Sequence, residues 1–287
     1  MAPRAGGRGG SVAIVTDSTA CLPAELVASA GVTVVPLHVI LDGDESFEPD
    51  VAPGEVADAL RRRASVTTSS PTPRAFRTAY AAAERAGATA CLSIHLSSTW
   101  SGTFEAARIA ARDAPLDVHV LDARTLGMAM GYAVLSAAEA AAAGAALGDV
   151  EAAARKRVER SGIWFMVPTL EHLRRGGRIG AAQALLGSAL AIKPLLRVVD
   201  GQVEPFEKVR TRPRALERMV AAAVSHAGDD EVDVAVHHLG DEDTAHDLAG
   251  RLPALMPGLR RLVVTEVGAV IGAHVGPGVL GIVVAPH

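Results

Sequence analysis

The alternation of short β-branched runs with longer alanine-rich runs is the feature that most constrains how this chain can fold. Val12–Thr16, Val32–Leu41 and Ala88–Leu96 have the composition of buried strands, and segments with helical spacing of apolar residues separate them. Such strand-helix units place their strands parallel in one sheet, with helices on its faces. The sequence therefore predicts an α/β fold whose N-terminal half holds a largely parallel sheet with flanking helices.

A change of pattern after residue 160 divides the chain in two. A length of 287 residues gives room for two domains of ordinary size. We expect a flexible tail over 1–10, an N-terminal α/β domain over 11–160 and a C-terminal α/β domain over 161–287. In the second domain, Asp200 and Gly201 have the residue types of a tight hairpin turn.

Several polar segments between the predicted strands and helices have the composition of loops. We expect Val32–Leu41 to be one continuous strand, and the acidic segment 42–50 after it to be a loop. Hydroxyls and prolines mark 65–73 as a loop that ends at a helix start. The glycines of 271–278 predict another loop, which carries His274.

Composition and charge exclude several classes of function. A formal net charge of −4 gives no dense basic surface of the kind that nucleic-acid binding needs. Cys21 and Cys91 lack disulfide or metal-binding spacing, which fits a reducing cytoplasm, and the adjacent His237 and His238 point to opposite faces of a strand. We therefore expect no metal site. No apolar stretch is long and charge-free enough for stable membrane insertion.

An excess of hydroxyl side chains follows the predicted strand Ala88–Leu96. One hydroxyl would be enough to cap the next helix, yet the sequence supplies Ser97, Ser98, Thr99, Ser101 and Thr103. In open α/β sheets, ligands collect at the carboxyl ends of strands, where hydroxyls and free backbone N–H groups favour a carboxylate or phosphate. The excess therefore favours an anion site.

Three further segments have polar residues with weaker claims to a function. Asp17 and Ser18 are ordinary cap residues for a helix that begins at Pro23. The hydroxyls from Thr68 to Thr72 are explained by loop chemistry alone. His274 stands beside a Gly-Pro-Gly turn, and a histidine fixed in this way is aimed at a partner more often than a lone surface histidine is.

A hydrolase is the main enzymatic alternative. Asp17, Ser98 and His274 could form a triad, so a Ser-His acyl hydrolase or acyltransferase would use Ser98 and His274. The GxSxG motif of α/β-hydrolases is absent, which weakens this alternative. The nucleotide motif GxxxxGK[ST], a GxGxxG between strand and helix, and the zinc motif HExxH are absent as well.

Six motifs together resemble the DegV family, the fatty-acid-binding subunits of bacterial fatty acid kinase. They occur in the family's order and spacing over about Val12 to Val284, and they read VAIVTDSTACLP, TTSSPTP, LSSTWSGTFEAA, LEHLRRGGRIG, KPLLRVVDGQVEPFEKVRTR and GAHVGPGVLGIVV. The resemblance implies a two-domain DegV-like fold, with a lipid tunnel between the two α/β domains.

The resemblance also implies a function and a set of site residues. The chain would bind one long-chain fatty acid, such as palmitate, stearate or oleate, and would need no cofactor. Thr68, Ser98 and His274 match the positions that hold the carboxylate in the family, and Ser69 and Ser101 are their neighbours. A separate kinase subunit would phosphorylate that carboxylate to an acyl phosphate and so feed exogenous fatty acids into phospholipid synthesis. The binding protein itself would not be the catalyst. Apart from the resemblance, we expect the chain to be a monomer.

Two features of the family comparison leave alternatives open. Arg174, Arg175 and Arg178 are either simply solvated or, as basic residues near this motif do in the family, contact the kinase or the transferred phosphate. Trp100 stands where an aliphatic residue is common, so the preferred chain length and unsaturation stay open. A regulatory lipid sensor without a kinase partner is the remaining alternative.

Overall fold

The computed structural model describes residues 11–186 and 193–287, so the predicted tail over 1–10 lies outside the described residues. The strands are β1 Val12–Asp17, β2 Thr33–Val35, β3 His38–Leu41, β4 Asp44–Phe47, β5 Val66–Ser69, β6 Ala90–His95, β7 Asp117–Asp122, β8 Gly162–Met166, β9 Lys193–Val199, β10 Gln202–Val209, β11 Val232–His238, β12 Leu259–Glu266 and β13 Leu280–Pro286. The helices are α1 Ala24–Ala30, α2 Pro53–Arg61, α3 Pro73–Arg85, α4 Thr103–Ala111, α5 Gly127–Ala142, α6 Leu147–Arg160, α7 Glu171–Arg175, α8 Arg212–Ala227, α9 Glu242–Leu255 and α10 Ala269–Val275. Short 3-10 helices cover Ser18–Ala20, Glu48–Asp50 and Gly180–Leu185.

A four-stranded parallel sheet forms the centre of the N-terminal half. Its strand order is β2-β1-β6-β7, and every neighbouring pair is parallel. Helices cover both faces: Leu92 and Ile94 of β6 pack with Met130 of α5, whereas Val15 of β1 packs with Tyr80 of α3. A sheet buried on both faces needs the continuous apolar runs that the sequence has. The predicted α/β class with flanking helices is confirmed.

A second sheet has three antiparallel strands, and two of them lie in segments that we expected to be loops. The run Val32–Leu41 breaks into β2 and β3 at Pro36, which has no N–H to donate to a ladder. Asp42 and Gly43 then adopt φ values of 51° and 102°, which suit a tight hairpin turn, so part of the acidic segment forms β4. Residues 66–69 pair with β3 as strand β5. The sheet order is β4-β3-β5.

A six-stranded mixed sheet contains all the described strands after residue 160. Its order is β10-β9-β8-β13-β11-β12, and β11–β12 is its parallel pair among antiparallel neighbours. The predicted hairpin is present, with Asp200 and Gly201 at φ 50° and 75°. Its core includes Met219 of α8 and Leu252 of α9.

Helix α10 connects the two halves of the molecule. The predicted loop over 271–278 is instead the end of α10 followed by a turn. Ala269, Val270 and Ala273 pack against Leu37 and Val56 of the N-terminal half. The apolar face of α10 therefore brings His274, at its last turn, next to strand β5.

None of the described helices is both long and apolar enough to cross a membrane.

Candidate functional site

An apolar tunnel lies where α10, the six-stranded sheet and the loops of the N-terminal half meet. Its cavity volume is about 150 Å³. The apolar side chains of its wall are Leu37, Leu96, Trp100, Leu126, Ile163, Phe165, Leu173, Val198, Val203, Val267, Val270, Ile271, Val275 and Val279. Because branched aliphatic side chains dominate this wall, the tunnel suits a narrow hydrocarbon.

Polar side chains gather at one part of the tunnel, which we call the mouth: Thr68, Ser69, Ser70, Ser101 and His274. The Thr68 Oγ1 lies 2.9 Å from His274 Nε2, and Ser70 Oγ lies 2.9 Å from Ser101 Oγ. The hydroxyl of Ser69 instead donates to Glu45 Oε1 at 3.0 Å. One hydroxyl–imidazole pair and one pair of hydroxyls at the end of an apolar wall can orient a small anionic group.

His274 is neutral at physiological pH. Burial, together with the positive charge of Arg178, lowers the pKa of His274 from 6.5 to about 4. Among the described residues, its buried Nδ1 has no hydrogen-bond partner, and it lies against Gly176, where a Cβ would collide with the ring. Gly176 is therefore required for the position of the imidazole, and the sequence alone offered no sign of this contact.

The hydroxyl side chains between β6 and α4 make different contacts and have different structural roles. Ser97 Oγ donates to the carbonyl of Gly201 at 3.1 Å, which ties this loop to the β9–β10 hairpin. Ser101 Oγ contacts both Ser70 and the backbone N–H of Thr103, the first residue of α4. Only part of the cluster faces the tunnel, because successive residues of the turn point in different directions.

Ser98 does not reach the mouth with Thr68 and His274. Its side chain is exposed, it does not line the tunnel, and its backbone N–H donates to Asp122 Oδ1 at 3.3 Å. Ser101 occupies the tunnel wall instead. The sequence motif contains both serines, and only the turn geometry separates them.

Asp17 forms a buried network rather than a helix cap or a triad. Its Oδ2 lies 2.9 Å from His95 Nδ1, and its Oδ1 accepts a bond from Thr19 Oγ1 at 2.5 Å. Asp17 caps the 3-10 helix Ser18–Ala20, not the helix after Pro23. Because both carboxylate oxygens are engaged elsewhere and Ser98 is exposed, the residues of the suggested triad Asp17, Ser98 and His274 are not assembled.

The three arginines of the basic turn have different surroundings. Arg174 and Arg175 are exposed and both bond Glu171, which holds the pKa of Glu171 down at about 2. Arg178 is half-buried, and its Nη2 donates to the carbonyl of Trp100 at 2.6 Å while its Nη1 donates to that of Gly176. Arg178 therefore fixes two stretches of backbone beside the mouth.

No group of three or more histidine, cysteine or acidic side chains suited to a metal lies within residues 11–186 and 193–287. The polar groups of the tunnel wall are hydroxyls, the imidazoles of His237 and His274 and the guanidinium of Arg178.

Comparison with known proteins assigns the chain to a family. A family model described as an uncharacterised protein, DegV family, matches residues 11–287. The chain belongs to the DegV family. A DegV domain-containing protein of Streptomyces coelicolor is 51% identical over 276 residues, which cover 96% of this chain and 98% of that relative.

Solved DegV structures share the whole architecture. A DegV family protein from Thermus thermophilus, described by its fatty acid binding, superposes with a TM-score of 0.91 at 36% identity, covering 96% of this chain and 100% of that one. DegV from Bacillus subtilis, described as a fatty acid binding protein, superposes with a TM-score of 0.89 at 32% identity, covering 97% and 100%. The expected DegV fold is confirmed.

Proposed function

We propose that this protein binds one long-chain fatty acid, with the tail in the apolar tunnel and the carboxylate at the mouth. The observation that carries the proposal is the junction itself, where an apolar wall ends at the hydrogen-bonded pairs Thr68–His274 and Ser70–Ser101. The fatty acids bound by DegV proteins of the same fold support it.

Burial of the tail supplies the affinity. Each CH₂ removed from water contributes about 0.8 kcal/mol, so a tail of roughly fourteen such groups gains on the order of 11 kcal/mol before ordering costs. The mouth then needs only to orient the carboxylate. Palmitate, stearate and oleate are the ligands we expect.

Neutral donors suit a carboxylate that must remain reactive. With His274 neutral, its Nε2–H can donate to Thr68 Oγ1 and leave the Thr68 hydroxyl free to donate to the carboxylate. Ser101, paired with Ser70, takes the second position that we first expected for Ser98. Hydroxyls keep the carboxylate ionised at neutral pH without neutralising the charge with which it attacks phosphorus.

The bound carboxylate is the substrate of a separate kinase in this proposal. One carboxylate oxygen forms a bond to the terminal phosphorus of a nucleoside triphosphate, the bond to the leaving oxygen breaks, and the nucleoside diphosphate departs with that electron pair. The product is an acyl phosphate that remains on the binding protein, which is not itself the catalyst. The reaction would feed exogenous fatty acids into phospholipid synthesis in the cytoplasm.

A coupled assay tests both parts of the proposal. Delipidated protein is titrated with palmitate while tryptophan fluorescence is recorded, because Trp100 lines the tunnel. The loaded protein is then incubated with a DegV-partner kinase, ATP and Mg²⁺, and acyl phosphate is trapped with hydroxylamine. We expect saturable one-to-one binding and hydroxamate formation. Binding without hydroxamate from any such kinase would leave a lipid sensor, and no binding would refute the proposal.

A further inference from the structure

A second cavity adjoins the mouth of the tunnel. The two cavities share Thr68, Arg178 and His274 in their walls. The second has a volume of about 440 Å³, against about 150 Å³ for the tunnel. A group attached to a carboxylate at the mouth can therefore extend into the second cavity past these shared residues.

This second cavity is strongly basic. Arg63, Arg175 and Arg178 line it together with His172, and no aspartate or glutamate belongs to its described wall. A cluster of arginines around one cavity stands out in a chain with a formal net charge of −4. We call it the basic cavity.

Two of these arginines have unused donors. The side chain of Arg63 makes no hydrogen bond or ion pair with the described residues, and its backbone holds the left-handed value φ 61°, which is unusual for a residue with a side chain. Arg175 bonds Glu171 through Nε, which leaves its Nη groups available. Arg178, in contrast, is engaged with backbone carbonyls.

We infer that the basic cavity binds the phosphoryl group of an acyl phosphate while the acyl tail stays in the tunnel. This inference rests on the proposed function. A phosphoryl group carries up to two negative charges and three acceptor oxygens, and the planar forks of arginine match that geometry. The hydroxyls of the mouth suffice for a carboxylate, so Arg63 and Arg175 would distinguish the phosphorylated product from the free fatty acid.

Hexadecyl phosphate and palmitate are the probes that test this distinction. Both have an apolar C16 chain, and they differ in the head group. We expect Arg63→Ala and Arg175→Ala each to weaken the binding of hexadecyl phosphate to the delipidated protein up to about tenfold at low salt, with a smaller effect at high salt, and to leave the palmitate affinity within about twofold.

Arg174→Ala is the matched control. Arg174 is adjacent to Arg175 and also bonds Glu171, yet it does not line the basic cavity. We expect this variant to bind both lipids like the wild type. Equal effects of Arg174→Ala and Arg175→Ala would mean that general surface charge, not the cavity, determines the affinity.

Several other results would overturn the inference. Parallel loss of both lipids in the arginine variants would point to a change in the tunnel. Unchanged affinity for hexadecyl phosphate combined with slower kinase turnover would assign Arg63 and Arg175 to contact with the partner. Binding of inorganic phosphate to palmitate-loaded protein, without preference for hexadecyl phosphate, would assign the cavity to free phosphate. If wild-type protein fails to bind palmitate, the proposed function fails instead.

Discussion

At the scale of single residues, a hydrogen bond between Thr68 and His274 joins two side chains that are far apart in the sequence. Thr68 belongs to strand β5 and His274 to the last turn of α10, and the bond between them is 2.9 Å long. The family resemblance suggested both residues as head-group ligands, and the structure brings their side chains together. The contrast between exposed Ser98 and tunnel-lining Ser101 could not be predicted, because it depends on the path of one tight turn.

Removal of the Thr68 hydroxyl should weaken fatty acid binding. Thr68→Val keeps the shape of the side chain and deletes the donor to the carboxylate, so we expect palmitate affinity to fall about tenfold, since a hydrogen bond to a charged group contributes about 1.5 kcal/mol. Calorimetric titration of delipidated protein measures this change. Ser98→Ala is the control and should bind like the wild type; the reverse order of effects would restore Ser98 as the head-group ligand.

The buried histidines should make folding stability depend on pH. Burial lowers the pKa of His237 from 6.5 to about 4. The unfolded chain therefore binds a proton that the folded chain excludes, so this contribution falls as pH drops from about 6.5 towards 4. Between pH 7 and pH 5 the contribution of His237 should decline by about 2 kcal/mol.

Denaturant unfolding of His237→Gln checks this contribution. The longer glutamine side chain can place its amide oxygen where Nε2 accepts the bond that Met128 N donates at 3.0 Å. The variant should lose less free energy of unfolding between pH 7 and pH 5 than the wild type does. Identical losses in the two proteins would show that His237 does not titrate in this way.

At the scale of elements, Glu48 holds α10 in place. Its buried Oε1 accepts a hydrogen bond from Val270 N at 2.8 Å, at the start of the helix that ends with His274. Burial raises the pKa of Glu48. The sequence did not indicate this contact, because Glu48 is one of several acidic residues in a segment that we expected to be a loop. Strand β5 was missed in the same way, because hydroxyl-rich Val66–Ser69 resembles a loop until β3 pairs with it.

Truncation of Glu48 should therefore shift His274 at the mouth of the tunnel, although Glu48 itself does not line the tunnel. Glu48→Ala should cost about 1–2 kcal/mol of unfolding free energy through the lost helix cap, and should also weaken palmitate binding because His274 moves with α10. Glu48→Gln keeps an acceptor oxygen for Val270 N, so it should retain more of the unfolding free energy and more of the palmitate affinity than Glu48→Ala does. Equal behaviour of the two variants in both measurements would exclude a capping role.

At the scale of the whole molecule, the tunnel exists because the two halves interlock. Helix α10 packs on the N-terminal half, and Ser97 bonds the hairpin turn at Gly201 of the C-terminal half. Strand alternation predicted the parallel sheet, since its β-branched runs are local signals. The joining of the halves depends on contacts between residues far apart in sequence, and in this case the family resemblance, not periodicity, indicated a tunnel.

A ligand that fills this junction should stabilise the entire fold. At a free palmitate concentration one hundred times its Kd, binding adds about 2.7 kcal/mol to the free energy of unfolding. For a chain of this size that corresponds to a rise in Tm of about 5 °C, which differential scanning calorimetry of delipidated and reloaded protein would detect. A Tm unaffected by saturating palmitate would contradict burial of the tail between the halves.

Mass spectrometry of freshly purified protein tests the central claim most directly. Intact mass is recorded under native and denaturing conditions, and the organic extract is identified. We predict one C16 or C18 fatty acid per chain, released on denaturation and therefore noncovalent. Protein that carries no fatty acid and takes none up when it is added, or that retains an acyl group on a serine after denaturation, would contradict the account.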